Sequence, residues 1–344
     1  MVFERARTFT SVLVAVMLAA SPLFAASLNL GPEQIVQAAG SDITVLGYSV
    51  PTCADWDSDG RMDLIVGEGN CSFDGKVRVY LNEGSSSAPL FSSFSYVQAG
   101  GVDLVVPGGG CLGAFPRVVD WNGDSRKDLL VGRPDGSVGI YYNIGSGLSP
   151  TLDGGTLLEV GPSGSKIPIN VLSRATVALA DWDNDGARDL IVGELDGRVH
   201  VFINEGTTAE PDFISDMLIQ AAGVNLVVPG ARSSPVVMDA DGDGREDLLV
   251  GNTEGQLLLY SNQGTDAVPL FGTYSTIAAD GAPIDLPGLA RSRPFVTDWN
   301  GDGLSDVLIG ASDGRVHLYQ GIPEPATLIL IALGVPVLLK RSRR

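Results

Sequence analysis

The sequence is poor in cysteine, in histidine and in positive charge. Three Cys residues allow at most one disulfide, which excludes a cross-linked scaffold of the small secreted kind. Two His residues, His200 and His317, sit in no partner motif, so they read as surface strand residues and not as catalysts. Lys plus Arg total 22 against 41 Asp plus Glu, a net charge of −19. A basic footprint is missing, which argues against nucleic acid as a partner. Long helical periodicity is absent, and no nucleophile elbow, phosphate loop or zinc motif occurs. What the chain has in abundance is glycine, 44 residues, between short alternating apolar segments. That combination predicts short strands and tight turns.

Both ends read as targeting segments. Residues 1–27 carry Arg5 and Arg7, an apolar stretch over 11–20 and small residues over 23–27, the layout of a secretory signal peptide. Export implies an oxidising compartment. Residues 322–344 hold Pro323-Glu324-Pro325, the apolar run 326–339, and then Lys340, Arg341, Arg343 and Arg344. A stable membrane span needs about 20 apolar residues, so this run is marginal, and its basic end would stay cytoplasmic. Any membrane contact is expected only through this tail. Residues 28–321 remain as the folded domain.

That domain repeats one unit five times. A nine-residue loop, D-x-[DN]-x-D-[GS]-x-x-D, recurs as DWDSDGRMD at 55–63, DWNGDSRKD at 120–128, DWDNDGARD at 181–189, DADGDGRED at 239–247 and DWNGDGLSD at 298–306. A short apolar strand precedes each loop. An unbroken apolar strand ending in Gly follows it, as in Leu64 to Gly67 or Leu190 to Gly193, and should be buried on both sides. A turn and an alternating strand come next, then a looser fourth strand such as Met217 to Val228. Four antiparallel strands per unit of about 60 residues suit a propeller blade. The last unit ends after its third strand, and the N-terminal segment Gln34 to Gly40 resembles a fourth strand. The expected fold is therefore all-β, a five-bladed β-propeller whose ring the N-terminal strand closes, removing two exposed edges.

Oxygens at loop positions 1, 3, 5 and 9, with the backbone carbonyl at 7, can surround one hard cation. Position 1 is Asp55, Asp120, Asp181, Asp239 and Asp298; position 3 is Asp57, Asn122, Asp183, Asp241 and Asn300. Position 5 is Asp59, Asp124, Asp185, Asp243 and Asp302, and position 9 is Asp63, Asp128, Asp189, Asp247 and Asp306. The carbonyls belong to Arg61, Arg126, Ala187, Arg245 and Leu304. Calcium tolerates such an irregular all-oxygen shell, whereas magnesium demands octahedral ligation. The absence of His or Cys among the ligands argues against zinc. About five calcium ions are expected.

The loops and the following [LV]-[LI]-[VI]-G strands resemble FG-GAP and VCBS repeats, as found in integrin α-chain-like propellers. The resemblance implies a calcium-binding propeller; those propellers often have seven blades, and five is a departure. The tail from Pro323 looks like a PEP-CTERM sorting signal. That resemblance implies recognition by an exosortase-type processing enzyme and delivery to the cell envelope or beyond, often alongside exopolysaccharide.

Outside the loops, Trp56, Trp121, Trp182 and Trp299 recur at position 2, where packing beside the calcium turn is expected. Arg174, Arg232 and Arg291 each lie seven residues before the first Asp of their unit, where the first two units have Tyr48 and Gly113. This is the start of the innermost strand, on the face opposite the loops. Three guanidinium groups would point toward one channel mouth, either pairing locally with carboxylates or carbonyls, or gripping an anionic ligand such as a uronic or sulfated glycan. Cys71 lies in an insertion of the first unit and Cys111 in the link to the second. Both connections should emerge on that same face, which predicts a Cys71–Cys111 disulfide. Cys53 aligns with inner-strand positions and should be buried and free. Together these features predict a non-enzymatic, calcium-stabilised binding or scaffold module for anionic glycans or envelope proteins at the cell surface. The alternative is a polysaccharide lyase or hydrolase working at the channel mouth, and a third reading is a purely structural envelope protein.

Overall fold

The computed structural model describes residues 28–323 apart from 71, 108–112, 287, 289 and 290. The two expected targeting segments, except for residues 322 and 323 of the tail, lie outside the described residues, as do Cys71 and Cys111. Among the described residues there is no helix, and so none long and apolar enough to cross a membrane.

Five antiparallel four-stranded blades form a five-bladed propeller. The inner strands are Val50–Ala54, Phe115–Val119, Thr176–Ala180, Ser234–Met238 and Arg293–Thr297. Each pairs with an apolar second strand whose residues are buried wherever blades stack on both faces, as in Asp128–Gly132 and Asp189–Gly193. The nine-residue loops are the turns between these two strands: Ala54 stands opposite Asp63, Val119 opposite Asp128 and Ala180 opposite Asp189.

The glycine ending each second strand is required by the next blade. A Cβ on Gly67, Gly132, Gly193 or Gly251 would lie 2.1 to 2.4 Å from the backbone carbonyl of Ala114, Ala175, Ser233 or Ser292. Gly310 of the last blade meets Ser49 of the first in the same way, at 2.2 Å. Hydroxyls reinforce three of these joints. Ser233 accepts from the Glu194 N–H at 2.9 Å, Ser292 from Asn252 at 2.9 Å, and Ser49 from Ala311 at 2.8 Å. The closing joint is thus built like the internal ones.

The N-terminal strand Leu30–Ile35 pairs antiparallel with Val316–Gly321, supplying the last blade's missing outer strand. Leu30 also bridges Ala279 in parallel, as Phe91, Leu152, Phe213 and Phe271 bridge the neighbouring blade elsewhere. The outer strands are shorter than the sequence suggests. Met217–Leu218 stops after two residues, and Gln220–Ala221 with Val224–Asn225 forms a separate hairpin. The cause is the Ala222-Gly223 pair, with φ of 52° and 77°. Two consecutive left-handed residues make the tight hairpin turn that matches strand twist. Ala39-Gly40, Gly100-Gly101 and Asp280-Gly281 do the same.

Buried side chains form clusters between blades. One joins Leu64, Val66 and Tyr80 of the first blade to Leu308, Val316 and Leu318 of the last. The position-2 tryptophans pack across these joints as expected: Trp121 on Phe213 at 6.2 Å, Trp182 on Phe271 at 5.9 Å and Trp299 on Phe91 at 5.8 Å between ring centroids.

Candidate cation loops and an arginine-lined channel

The buried Asp at loop position 9 organises each turn. One oxygen accepts the N–H of position 2, at 2.8 Å from Trp56 and 2.7 Å from Trp182. The other accepts an N–H where the third strand ends, at 2.8 Å from Asn82 and 2.7 Å from Asn143, Asn204 and Asn262. In the last blade Gly321 donates, at 2.6 Å. Burial pushes the carboxyls of Asp63 and Asp189 up to about 6 although these donors pull the other way. Asp128, Asp247 and Asp306 are raised for the same reason.

Position 1 curls the loop around itself. Asp55 accepts the N–H groups of Asp59 at 2.9 Å and Gly60 at 3.1 Å, and Asp181 those of Asp185 and Gly186, both at 2.9 Å. Positions 1, 3 and 9 then converge. In the sets Asp55, Asp57, Asp63 and Asp181, Asp183, Asp189 and Asp239, Asp241, Asp247, one oxygen from each residue lies within 4.8 Å of the others. Asn122 and Asn300 make the second and fifth loops one carboxylate poorer. Position 5 turns aside: Asp59, Asp124 and Asp243 pair with the guanidinium of Arg61, Arg126 and Arg245, the residues whose carbonyls were expected to face the ion.

The residues fit a hard cation. Buried oxygens of Asp57, Asp120 and Asp183 have no hydrogen-bond partner. An unpaired buried carboxylate oxygen is costly, and a bound cation would compensate it. The left-handed position 6 is glycine in four loops, with Gly60 at φ 87°, Gly186 at 93°, Gly244 at 86° and Gly303 at 85°, whereas the second loop forces Ser125 to φ 67°.

The three arginines singled out from the sequence do gather at the channel, each in the left-handed conformation at φ 56° to 58°. Arg174 is fully buried and donates to the Ser233 carbonyl and the Ser234 hydroxyl, both at 2.9 Å. Arg232 and Arg291 are only partly buried. Tyr48 lies under Arg291 at 4.6 Å from ring centroid to guanidinium. Sequence reasoning missed Arg293, which lies two residues past Arg291 and is 2% exposed. Period-two alternation would have placed it on the same face. Arg293 sits 4.9 Å from the Tyr48 ring and 5.8 Å from Phe115, over which Arg174 also stands at 5.1 Å. Burial, and then Arg291 and Arg232, bring Arg293 down to about 9; burial, and then its three arginine neighbours, also lower Arg174. Deeper along the strands, Arg117 donates to the carbonyls of Pro116 at 3.1 Å and Pro294 at 3.2 Å. It lines a 290 Å³ cavity with Ala178, Val236 and Phe295.

Cys53 is buried and free, and burial raises its thiol pKa, so it behaves as a small apolar group. The histidines depart from expectation. His317 is buried, because the N-terminal strand covers it and brings Glu33 to 2.5 Å. His200 is half-buried against Asp216 at 2.8 Å. Burial alone would lower its pKa; Asp216 and Glu194 outweigh that and raise it.

These loops and blades define the chain's class. Residues 181–250 match the family model of the FG-GAP-like repeat. The chain is 30% identical over 297 residues to integrin alpha-4 of Xenopus laevis, an alignment covering 83% of this chain and 26% of that protein. It is 32% identical over 196 residues to integrin alpha-7 of Mus musculus, covering 53% and 15%. The chain therefore spans about a quarter or less of these relatives, and its FG-GAP-like repeat and propeller fold make it similar to the integrin α chains. Among solved structures, a GH43_1 enzyme from Xanthomonas citri overlays 83% of this chain and 90% of its own, with a TM-score of 0.48 at 14% identity, and nothing about activity follows from that.

Proposed function

We propose that the chain is an exported, calcium-loaded propeller acting as a binding or scaffold module at the cell surface. The observation that carries this is the set of acidic loops in register, three of them with three convergent carboxylates. Each would hold one calcium through positions 1, 3 and 9, with the carbonyl of position 7 completing the shell, and position 5 would join it in three loops only by leaving its arginine partner. The ion would supply positive charge to a turn that otherwise packs like charges together, and so lock inner to second strand. The similarity to integrin α chains supports a binding role.

The ligand-facing region in this reading is the channel mouth at Arg232 and Arg291, suited to an anionic group on an exopolysaccharide or envelope protein. Removal of the tail by an exosortase-type enzyme would release the propeller from the membrane, and a Cys71–Cys111 disulfide would brace the first blade against the second. A glycan array probed with calcium and with chelator tests the binding role. Calcium-dependent retention of acidic glycans without change in chain length is the expected result. Shortening or unsaturation of the bound glycan would replace this reading with a lyase or hydrolase at the channel mouth.

A further inference from the structure

The channel concentrates positive charge that the described residues do not neutralise. Among the described residues, none of Arg174, Arg232, Arg291 and Arg293 forms an ion pair with a carboxylate. Six of their buried nitrogens have no hydrogen-bond partner among the described residues: Nε of Arg174, Nη1 of Arg232, Nε and Nη1 of Arg291, and Nε and Nη2 of Arg293. Arg174 and Arg293 are essentially inaccessible, at 0% and 2% exposure. A buried charge must be paired, or must lose its proton. Lysine or histidine would take the second course; a guanidinium does not.

The aromatic rings explain part of the arrangement. Phe115 carries Arg174 and Arg293, and Tyr48 carries Arg293 and Arg291. Ring faces attract cations, so the two rings hold the guanidiniums in a connected row. They do not satisfy the N–H groups, which point along the guanidinium planes. The left-handed backbone at Arg174, Arg232 and Arg291 adds strain of the kind that persists at binding sites. A chain with a net charge of −19 has acidic residues to spare, yet none among the described residues pairs with this cluster.

We infer that the channel seats one small tetrahedral oxyanion of the sulfate class, held by the free N–H groups of Arg174, Arg232, Arg291 and Arg293. Forked N–H donors match the oxygens of such an ion, and charge-assisted bonds of this type are the stronger ones. The depth of Arg174 and Arg293 selects a compact group over the middle of a polymer. Sulfate can arrive free or as the terminal half-ester of a sugar; the chemistry of the seat is the same. The inference rests on the reading of the arginine mouth as ligand-facing, and adds to it an interior anion.

The test is thermal unfolding of the full chain at saturating calcium, with millimolar sodium sulfate against sodium chloride at equal ionic strength. The expected result is a saturable, one-site rise in Tm with sulfate. Arg232→Gln, at a partly exposed site, should fold normally and weaken the apparent sulfate affinity at least tenfold. Arg293→Gln should do the same and also raise Tm in chloride, because one of four mutually repelling charges is gone. A merely structural arginine would give the opposite sign. A sulfated monosaccharide at matched concentration distinguishes the sources: stabilisation equal to that of sulfate means a terminal group on a sugar, and stabilisation by sodium sulfate alone means a free ion. A sulfate response no larger than that of chloride, or one undiminished in both variants, overturns the proposal. A sulfate shift combined with an empty glycan array would defeat the surface-ligand reading and leave this one standing.

Discussion

The acidic loops and the central channel both crowd like charges, and they handle the crowding differently. In the loops, backbone N–H groups converge on the carboxylates: Asp63 and Asp189 each accept two, and Asp55 and Asp181 two more each. The turn is folded around its own negative charge, and a cation would complete it at its open oxygens. In the channel, the backbone offers carbonyls to a few guanidinium nitrogens and leaves six unpaired. An acidic turn can be half-satisfied by its own chain, because every residue except proline brings an N–H donor. The arginine cluster draws only on a few carbonyls near the inner strands, such as Ser233 for Arg174 and Arg291 for Arg293.

The largest effect should come from the residue that serves both the turn and the ion. Asp189→Ala leaves the Trp182 and Asn204 N–H groups buried without acceptors. Each such group costs about 1–3 kcal/mol, so the loss is about 4 kcal/mol, seen in denaturant unfolding with or without calcium. Asp183→Ala sharpens the contrast. Its orphaned oxygen serves no hydrogen bond, so its destabilisation should appear with calcium present and vanish in chelator. Equal losses under both conditions would mean that Asp183 holds the turn and not an ion.

A pH scan separates the two regions next. In the calcium-free protein the folded carboxyls of Asp63 and Asp189 titrate at about 6, above an unfolded Asp at about 3.9. Between those values the folded state holds more protons, so stability falls as pH rises from about 4 to about 6. Calcium should reverse the slope, because ligands must be deprotonated. A calcium-free protein that gains stability across that window would count against the loop electrostatics described here. Variants in the channel should leave the slope unchanged, because the carboxyls that set it lie in the loops.

The smallest effect concerns the second loop. Ser125 at φ 67° occupies the turn that glycine fills elsewhere. Ser125→Gly should gain about 1 kcal/mol by removing left-handed strain, and calorimetry should find this loop, with Asn122 at position 3, the weakest calcium site of the five.

Much of the architecture was legible because each requirement is carried by a repeated residue type. The closing joint could be read from the missing fourth strand after Gln320 and its match at Gln34, and Gly310 meets Ser49 as the other glycines meet their neighbours. The loops were legible because acidic spacing directly encodes convergence at positions 1, 3 and 9. Position 5 was not, since its pairing with Arg61, Arg126 and Arg245 depends on side chains that the pattern treats as variable. The short outer strands were missed because Ala222-Gly223 reads as ordinary small residues until both adopt positive φ. His317 was misplaced because its burial depends on a strand 284 residues away in sequence. Arg293 was missed because only one blade carries it, and a repeat argument discards what does not recur.

Thermal unfolding with saturating calcium and with excess chelator tests the central claim most directly. Each calcium site kept at a thousandfold its dissociation constant contributes about 4 kcal/mol, so several filled loops should separate the two melts by tens of degrees. Coincident melts in calcium and in chelator would contradict the account.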